Sequence, residues 1–260
     1  MISVIPGLLV VFLSVVVAIG GLALVQRLVP ATRRKEHNDV AGFIYAVLGV
    51  AYAVLLGLMI IAVWENFAEA RNTVDQEATE LAEIAWLAHQ LSEPEGTRIQ
   101  ELARSYGEVV VEEEWPLMRE GKSSLRAWAL LDEIRLTIED LDPRTDAEQA
   151  LYLRALEQAH DLNDSRRDRL LDAKEGLPAI LWVVLLLGGV IVVGFTYLFG
   201  LDNTVVHTFM VGSLAAVIAL ALFTVGTLDY PFGWGVRVSP EAFELTLERF
   251  EQSKLSNLRE

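Results

Sequence analysis

The sequence predicts an all-α integral membrane protein with four transmembrane helices and an all-helical soluble insert between spans two and three. Four stretches contain no Asp, Glu, Lys or Arg, and each exceeds the roughly 20 residues that cross the hydrocarbon of a bilayer. These stretches are residues 1–26, 40–64, 176–201 and 203–228. The chain of 260 residues is 53% apolar, yet it carries a net charge of −15. Such segregation of charge from apolar residues is typical of a membrane protein.

The charge lies mainly between the second and third apolar stretches. Residues 66–176 hold 26 acidic and 13 basic side chains. This acidity argues against nucleic acid, whose binding requires clusters of Lys and Arg, and against docking of the insert onto anionic lipid. The chain has no cysteine, which excludes disulfides, thiol catalysis and Cys-ligated metals.

The first apolar stretch is predicted to be a retained span rather than a cleaved signal peptide. It lacks a basic N-terminal region and is longer than the apolar part of a signal peptide. Four basic residues follow it, as expected at the end of a span: Arg27, Arg33, Arg34 and Lys35. We therefore divide the chain into spans one and two (1–65), the soluble domain (66–176), a transmembrane hairpin (177–228) and an exit loop with a C-terminal amphipathic helix (229–260).

The second span is predicted to continue into water as one long helix. No proline occurs between Val40 and Leu91, and the composition becomes charged at Glu65. Trp64, just before that change, is typical of the membrane interface. Asn38 or Asp39 can cap the start of this helix.

Small residues form a stripe along the second span, at Gly42, Ala46, Gly49, Ala53 and Gly57. The spacing places them on one face, which indicates a helix-packing seam. Tyr45 and Tyr52 lie on one side of the same helix. Two interpretations remain open for their hydroxyls: a bond to a neighbouring helix, or exposure to an aqueous path.

The insert is predicted to form helices separated at Pro94, Gly121 and Pro143. Thr145 and Glu148 have the spacing of a capping box. The run 112–114 consists of glutamates that point in different directions on a helix, so we expect a solvated face rather than a cation cage. The basic residues Arg166, Arg167, Arg169 and Lys174 place positive charge just before the third span.

Residues 200–203 predict a tight turn that joins spans three and four as an antiparallel hairpin. After the fourth span, Tyr230, Phe232 and Trp234 are expected in an interfacial aromatic belt. The terminal helix begins at Ser239-Pro240-Glu241, and its apolar side, which includes Phe243, is suited to pack on the insert.

An enzyme is the least favoured class of function. The chain has no phosphate-binding glycine loop, nucleophile elbow, HExxH or CxxC motif. Its histidines, at 37, 89, 160 and 207, form no local pair. We therefore predict no catalytic residue, no metal site and no cofactor.

Several motifs together resemble the bestrophin-like domain family of bacterial and plant membrane proteins. They are NDVAGFIYAVLGVAYAVLLG followed by W-E, the E-E-W-P after Tyr106, and LDYPFGWGVRVSPEAF. A more remote relation to bestrophins implies a homo-oligomeric ion channel with the second span near the pore axis. The resemblance implies pore-lining positions at Tyr45, Gly49, Tyr52 and Leu56. Membrane-interface or coupling candidates are Asp39, Trp64, Glu65, Asp229 and Phe232.

The alternative function is a non-conducting membrane sensor or scaffold whose acidic domain 66–176 binds a protein partner. Either function places the chain in the lipid bilayer of the cell membrane as a multi-pass protein. The sign of a conducted ion stays open, because the resemblance implies anions whereas the acidic insert favours cations. The side of the membrane that the insert faces also stays open, since basic residues flank the spans on both sides.

Overall fold

A computed structural model describes residues 4–36 and 38–257. Within these residues the chain is helical, without a β-strand, which confirms the predicted all-α class. The helices are α1 Val4–Leu28, α2 Ala31–Lys35, α3 Asn38–Ala88, α4 Glu95–Val109, α5 Trp115–Met118, α6 Leu125–Glu139, α7 Asp146–Asp172, α8 Ala179–Thr196, α9 Thr204–Leu228 and α10 Glu241–Asn257. A π-helical turn, Val110–Glu114, joins α4 to α5.

Among the described residues, four helices are long and apolar enough to cross a membrane: α1, α3, α8 and α9. The described residues form two compact units. The membrane unit comprises residues up to Glu65 together with Gly176–Asp229, and the insert unit comprises Asn66–Glu175 and the residues from Tyr230 onward. Helix α3 contributes residues 38–65 to the first unit and 66–88 to the second, and it is one uninterrupted helix of 51 residues.

In the membrane unit, α1 packs along α9. Ala18 and Leu22 of α1 are buried against Val211 and Ala215 of α9. Glycine permits further close contact, since a Cβ at Gly21 would lie 2.9 Å from the Tyr197 hydroxyl. Small residues are expected at such contacts, because apolarity alone gives helices no attraction for each other in lipid.

At one end of the membrane unit, the side chains of Arg34 and Asn38 form hydrogen bonds with backbone atoms of the α8–α9 turn. Arg34 Nη1 donates to the carbonyls of Tyr197 and Phe199, each at 3.0 Å. The Asn38 amide exchanges two hydrogen bonds of 3.0 Å with the backbone of Gly200. A Cβ at Gly200 would lie 2.6 Å from the backbone of α2, so this turn requires glycine. The Asn38 side chain thus joins α3 to the turn, and Asp39, the other proposed cap, is exposed.

The insert unit has its own hydrophobic core, to which α3, α4, α6, α7 and α10 contribute. The predicted capping box of α7 is present: Glu148 N donates to Thr145 Oγ1 and Thr145 N donates to Glu148 Oε2, both at 3.2 Å. Gly121 adopts a φ of 67° in the turn before α6. Phe243 of α10 is fully buried in this core, so the terminal helix packs on the insert.

Candidate functional site

The α3 face that carries Tyr52 is packed against α8. The Tyr52 hydroxyl donates a hydrogen bond of 3.0 Å to the backbone carbonyl of Leu185. Its ring lies over two glycines, and a Cβ at Gly188 would be only 2.8 Å from ring carbons. Tyr52 is 7% exposed. Of the two interpretations of this hydroxyl, the bond to a neighbouring helix is the one that the structure contains.

Tyr45 lies on the same side of α3, seven residues earlier. Its ring is stacked on Phe195 with centroids 6.0 Å apart, and it meets Phe199 edge-on at 5.7 Å. Leu56, also on this side, is buried. Of the four positions that the resemblance assigns to a pore, Tyr52 and Leu56 are therefore buried within a single copy, and Tyr45 is half-buried.

From Ala46 to Gly57, the small-residue stripe of α3 meets no other helix among the described residues. A Cβ built at Gly49 or Gly57 has no heavy atom within 4 Å, and Ala46 and Ala53 are exposed. We call positions 46, 49, 53 and 57 the open face of α3. The predicted packing seam is thus not used by the other helices of the same copy.

Asp229 is a buried anchor inside the membrane unit. Its Oδ1 accepts a hydrogen bond of 2.6 Å from the Leu177 backbone, and its Oδ2 accepts one of 3.0 Å from Trp182 Nε1. Asp229 is 5% exposed. This carboxylate therefore ties the end of α9 to the start of α8.

The other interface candidates divide into exposed and buried residues. Trp64 is 58% exposed, and Glu65 and Asp39 are exposed. Phe232 is instead 3% exposed and meets the Trp115 ring edge-on at 5.7 Å in the insert core. The expectation that Phe232 belongs to an aromatic belt is wrong, because this ring packs inside the insert unit.

A buried ion-pair network lies at the centre of the insert unit, and the sequence analysis did not find it. Arg169 donates to both carboxylate oxygens of Glu77, at 2.5 and 3.0 Å, and to Glu114 at 2.8 Å. Arg166 donates twice to Glu114, at 2.7 and 3.2 Å. All four side chains are completely buried. Two charges of each sign neutralise each other in the core.

Neighbouring groups supply further contacts to this network. The Tyr106 hydroxyl donates to Glu77, and the Ser124 backbone donates to Glu114 at 2.8 Å. The Arg166 guanidinium lies 4.1 Å from the centroid of the Trp128 ring. The network thus connects α3, α4, the π turn, the start of α6 and α7.

Several charged side chains lie in surroundings that differ from those expected from the sequence. Glu112 is exposed as expected and Glu113 pairs with Arg126 at 2.7 Å, but Glu114 is fully buried. Arg166 and Arg169 were expected to place positive charge just before the third span, but both are buried in this network. A signal was present in the sequence: on α7, Ala159, Leu162, Arg166 and Arg169 follow helical spacing of three, four and three, which puts both arginines on the apolar stripe.

The surroundings of the network shift the pKa values of Glu114, Arg169 and Tyr106. Burial would raise the pKa of Glu114, but hydrogen bonds and charge from Arg166 and Arg169 outweigh it and hold that pKa below its usual value. Burial would lower the pKa of Arg169, but Glu77, Tyr106 and Glu114 raise it overall. Burial, then Glu77, raises the pKa of Tyr106 well above its usual value. The shifts at Glu114 and Arg169 both favour the charged form of the side chain.

Asp172, a carboxyl of the insert unit, has a raised pKa. Burial, together with the charges of Glu69, Asp168 and Glu175, raises the pKa of Asp172 to about 6, although Thr73 offers it a hydrogen bond that opposes the rise. Within residues 4–36 and 38–257, no three His, Asp or Glu side chains are arranged to hold a metal ion.

Comparison with known proteins identifies the family. A model of the bestrophin-like domain matches residues 12–243. The chain belongs to the bestrophin-like domain family. This confirms the resemblance carried by the sequence motifs, and it makes the chain a membrane protein of this family. No curated protein matches the chain.

Solved structures share the fold. A variant of a bacterial bestrophin homologue from Klebsiella pneumoniae superimposes with a TM-score of 0.67 at 16% identity, covering 92% of this chain and 97% of that one. The same homologue, solved by Zn-SAD phasing, gives 0.66 at 17% identity with coverages of 94% and 96%. A further crystal structure, described as a membrane protein variant, gives 0.66 at 16%, covering 92% and 96%. Identity this low shows a common fold.

Proposed function

We propose that this chain assembles into a homo-oligomeric ion channel in the cell membrane, with α3 nearest the pore axis. The observation that carries the proposal is the open face of α3, which no other helix of the described residues covers. Small residues on a membrane helix either allow close approach of another helix or leave room along an axis. The similarity to bacterial bestrophin homologues supports the same arrangement. Four helices of one copy rarely enclose a pore, so the channel requires a ring of copies.

We assign one of the four candidate residues to the ion path and the other three to the positioning of α3. Gly49 has open space above it, so we propose that it faces the ion path. Tyr45, Tyr52 and Leu56, the other three candidates, are proposed to set the position of α3: the two tyrosines contact α8 or its end, and Leu56 is buried. In this assignment the tyrosines influence conduction through the helix that they hold.

We propose that residues 66–176 form a soluble domain that controls α3. Helix α3 enters this domain directly after Trp64 and Glu65, and Arg169 holds it there through Glu77. A change in this domain would therefore act on the same helix that carries Gly49. Residues 177–228 are proposed as the second transmembrane hairpin and 229–260 as its exit segment and terminal helix.

Reconstitution into lipid vesicles tests the proposal. Purified protein is expected to pass chloride, sodium or potassium down an imposed gradient, and the ion that moves gives the sign of selectivity. Gly49→Leu is expected to reduce this flux strongly, because four added side-chain carbons project into the path. Gly20→Leu on α1 is the matched control, since Gly20 also has no heavy atom within 4 Å of a built Cβ.

Absence of flux for all three ions, from protein that is folded and oligomeric, would contradict the channel. Equal flux through Gly49→Leu and Gly20→Leu would contradict the assignment of Gly49 to the path. The alternative function, a non-conducting scaffold, would gain support if the silent full-length protein bound a protein partner in a fixed ratio through residues 66–176.

A further inference from the structure

The insert unit contains a cavity that the proposed function does not use. Its volume is about 360 Å³, and its walls come from the end of α5, the end of α7 and the loop after α9. The lining residues are Met118, Arg119, Ala173, Tyr230, Gly233, Trp234 and Arg237. We call it the basic cavity, because both of its charged lining residues are arginines and no carboxylate of the described residues lines it.

The loop that forms one wall of the basic cavity has a defined backbone. Val238 N donates to the Pro231 carbonyl at 2.8 Å, and Gly233 N donates to the Tyr230 carbonyl at 2.9 Å. Phe232, between these two bonds, is buried against Trp115. The loop is therefore held by its own backbone bonds and by the insert core, which keeps Arg237 and the aromatic residues in place.

The two arginines of the basic cavity are available to a ligand. Arg119 and Arg237 are exposed, and neither forms an ion pair with any residue in the described part of the chain. Some other arginines on the surface of this unit do pair with glutamates, as Arg126 does with Glu113 at 2.7 Å. Guanidinium groups match the oxygens of a phosphate in pairs. A cavity with two of them and no carboxylate favours a phosphate-bearing anion.

An adjacent cavity of about 370 Å³ provides an internal contrast. It shares Arg237 and adds Arg71, but Asp75 and Glu241 also line it. Its charged lining residues therefore balance, whereas those of the basic cavity do not. The excess of positive charge is specific to the side that Arg119 and Trp234 occupy.

The aromatic residues of the basic cavity indicate the source of the anion. Trp234 is 67% exposed and Tyr230 is 44% exposed. Exposed rings of this kind suit the boundary between lipid and water. The loop also begins directly after α9, which ends at Leu228, so the chain length itself keeps these rings within reach of a bilayer surface.

We propose that the basic cavity binds the phosphate of an anionic phospholipid headgroup, with Arg119 and Arg237 on the phosphate and Tyr230 and Trp234 against the glycerol and upper acyl chains. The overall acidity of the insert predicts repulsion from anionic lipid, and this cavity is a local exception to that prediction. The proposal is independent of conduction, because it needs only the insert unit and the loop after α9.

Native mass spectrometry of the full-length protein in neutral detergent tests this site. The probes are phosphatidylglycerol and phosphatidylcholine with identical acyl chains. The protein is expected to retain phosphatidylglycerol in preference to phosphatidylcholine. The double variant Arg119→Gln/Arg237→Gln is expected to lose affinity by about fivefold per arginine, the size expected for a juxtamembrane basic residue. Arg154→Gln, at an exposed position of α7 that does not line the basic cavity, is the control and should bind as the native chain does.

Two further measurements define the outcomes. Arg237→Lys keeps the charge and is expected to retain most of the preference for phosphatidylglycerol, which separates loss of charge from loss of fold. Melting temperatures of all variants check the fold directly. Inorganic phosphate at millimolar concentration is expected not to displace the lipid. Equal retention of both lipids, unchanged binding by the double variant, or displacement by inorganic phosphate alone would each overturn the assignment to a phospholipid.

Discussion

The membrane unit and the insert unit are each stabilised internally, and by different kinds of interaction. In the membrane unit, polar side chains bond to backbone atoms and glycines allow helices to touch, as at Arg34, Gly200 and Asp229. In the insert unit, an apolar core surrounds two arginines and two glutamates that pair with one another. Burial of apolar surface stabilises the insert in water but gives no attraction between helices in lipid. The insert unit has a buried core in one copy, whereas no other helix of the described residues covers the open face of α3.

The largest effect is expected from breaking the buried network. Arg169→Met should cost about 3–5 kcal/mol of unfolding free energy, because Glu77 and Glu114 would each keep a buried charge with fewer partners. Denaturant unfolding in mild detergent, followed by circular dichroism, measures this. The control Arg167→Met removes an exposed arginine two residues away and should change stability by about 0.5 kcal/mol or less. Equal effects of the two substitutions would show that the network does not stabilise the insert.

A smaller effect is expected from crowding the membrane unit. Gly188→Val adds side-chain atoms where a Cβ would already lie 2.8 Å from the Tyr52 ring. Overpacking of this kind typically costs about 1–3 kcal/mol. Gly194→Val on the same helix is the control, since no heavy atom lies within 4 Å of a Cβ built there. Thermal melting in detergent should separate the two variants, and a stability of Gly188→Val equal to that of Gly194→Val would contradict the packing of α3 on α8.

Removing a single hydroxyl from the same contact should have a still smaller effect. Tyr52→Phe loses the bond to the Leu185 carbonyl but keeps the ring over the glycines. Hydrogen bonds between membrane helices are worth about 0.6 kcal/mol on average. The melting temperature should fall slightly and the oligomeric state should not change. A large loss of stability would mean that this hydroxyl has a further partner.

The remaining effect is expected at Asp172, and it depends on pH. The pKa of Asp172 rises to about 6 in the folded state, above its usual 3.8, so the folded state binds this proton more tightly than the unfolded state does. Stability from this group is therefore greatest at low pH and is lost as pH rises from about 4 through about 6. Asp172→Asn should melt higher than the native chain at pH 7.5 and equally at pH 4. Asp132→Asn, an exposed position on α6, should show no such difference between the two pH values.

Local features of the fold could be predicted from the sequence, and long-range pairings could not. The absence of proline between Val40 and Leu91 predicts the continuous α3, and Thr145 with Glu148 predicts the cap of α7, because each feature depends on nearby residues. Whether Glu77 is solvated or paired depends on Arg169, which is distant in the chain. Periodicity places both residues on helix faces but does not say which faces meet.

The candidate site shows the same division. The spacing of Tyr45 and Tyr52 correctly puts them on one side of α3, yet only the packing of α8 shows that this side is covered. The stripe at Gly49 and Ala53 could be recognised from the sequence, but its lack of a partner within the chain could not. Where helices of different copies of a chain contact each other, a single copy shows only an exposed surface at that place.

Accessibility of a single cysteine tests the central claim most directly, because the native chain contains no cysteine of its own. Gly49→Cys and Gly20→Cys are reconstituted into bilayers and treated with a charged, water-soluble methanethiosulfonate reagent while current is recorded. If α3 lines the path, the reagent changes the current through Gly49→Cys and leaves the current through Gly20→Cys unchanged. An unmodified current in both variants, from protein that conducts, would place the ion path elsewhere and contradict this account.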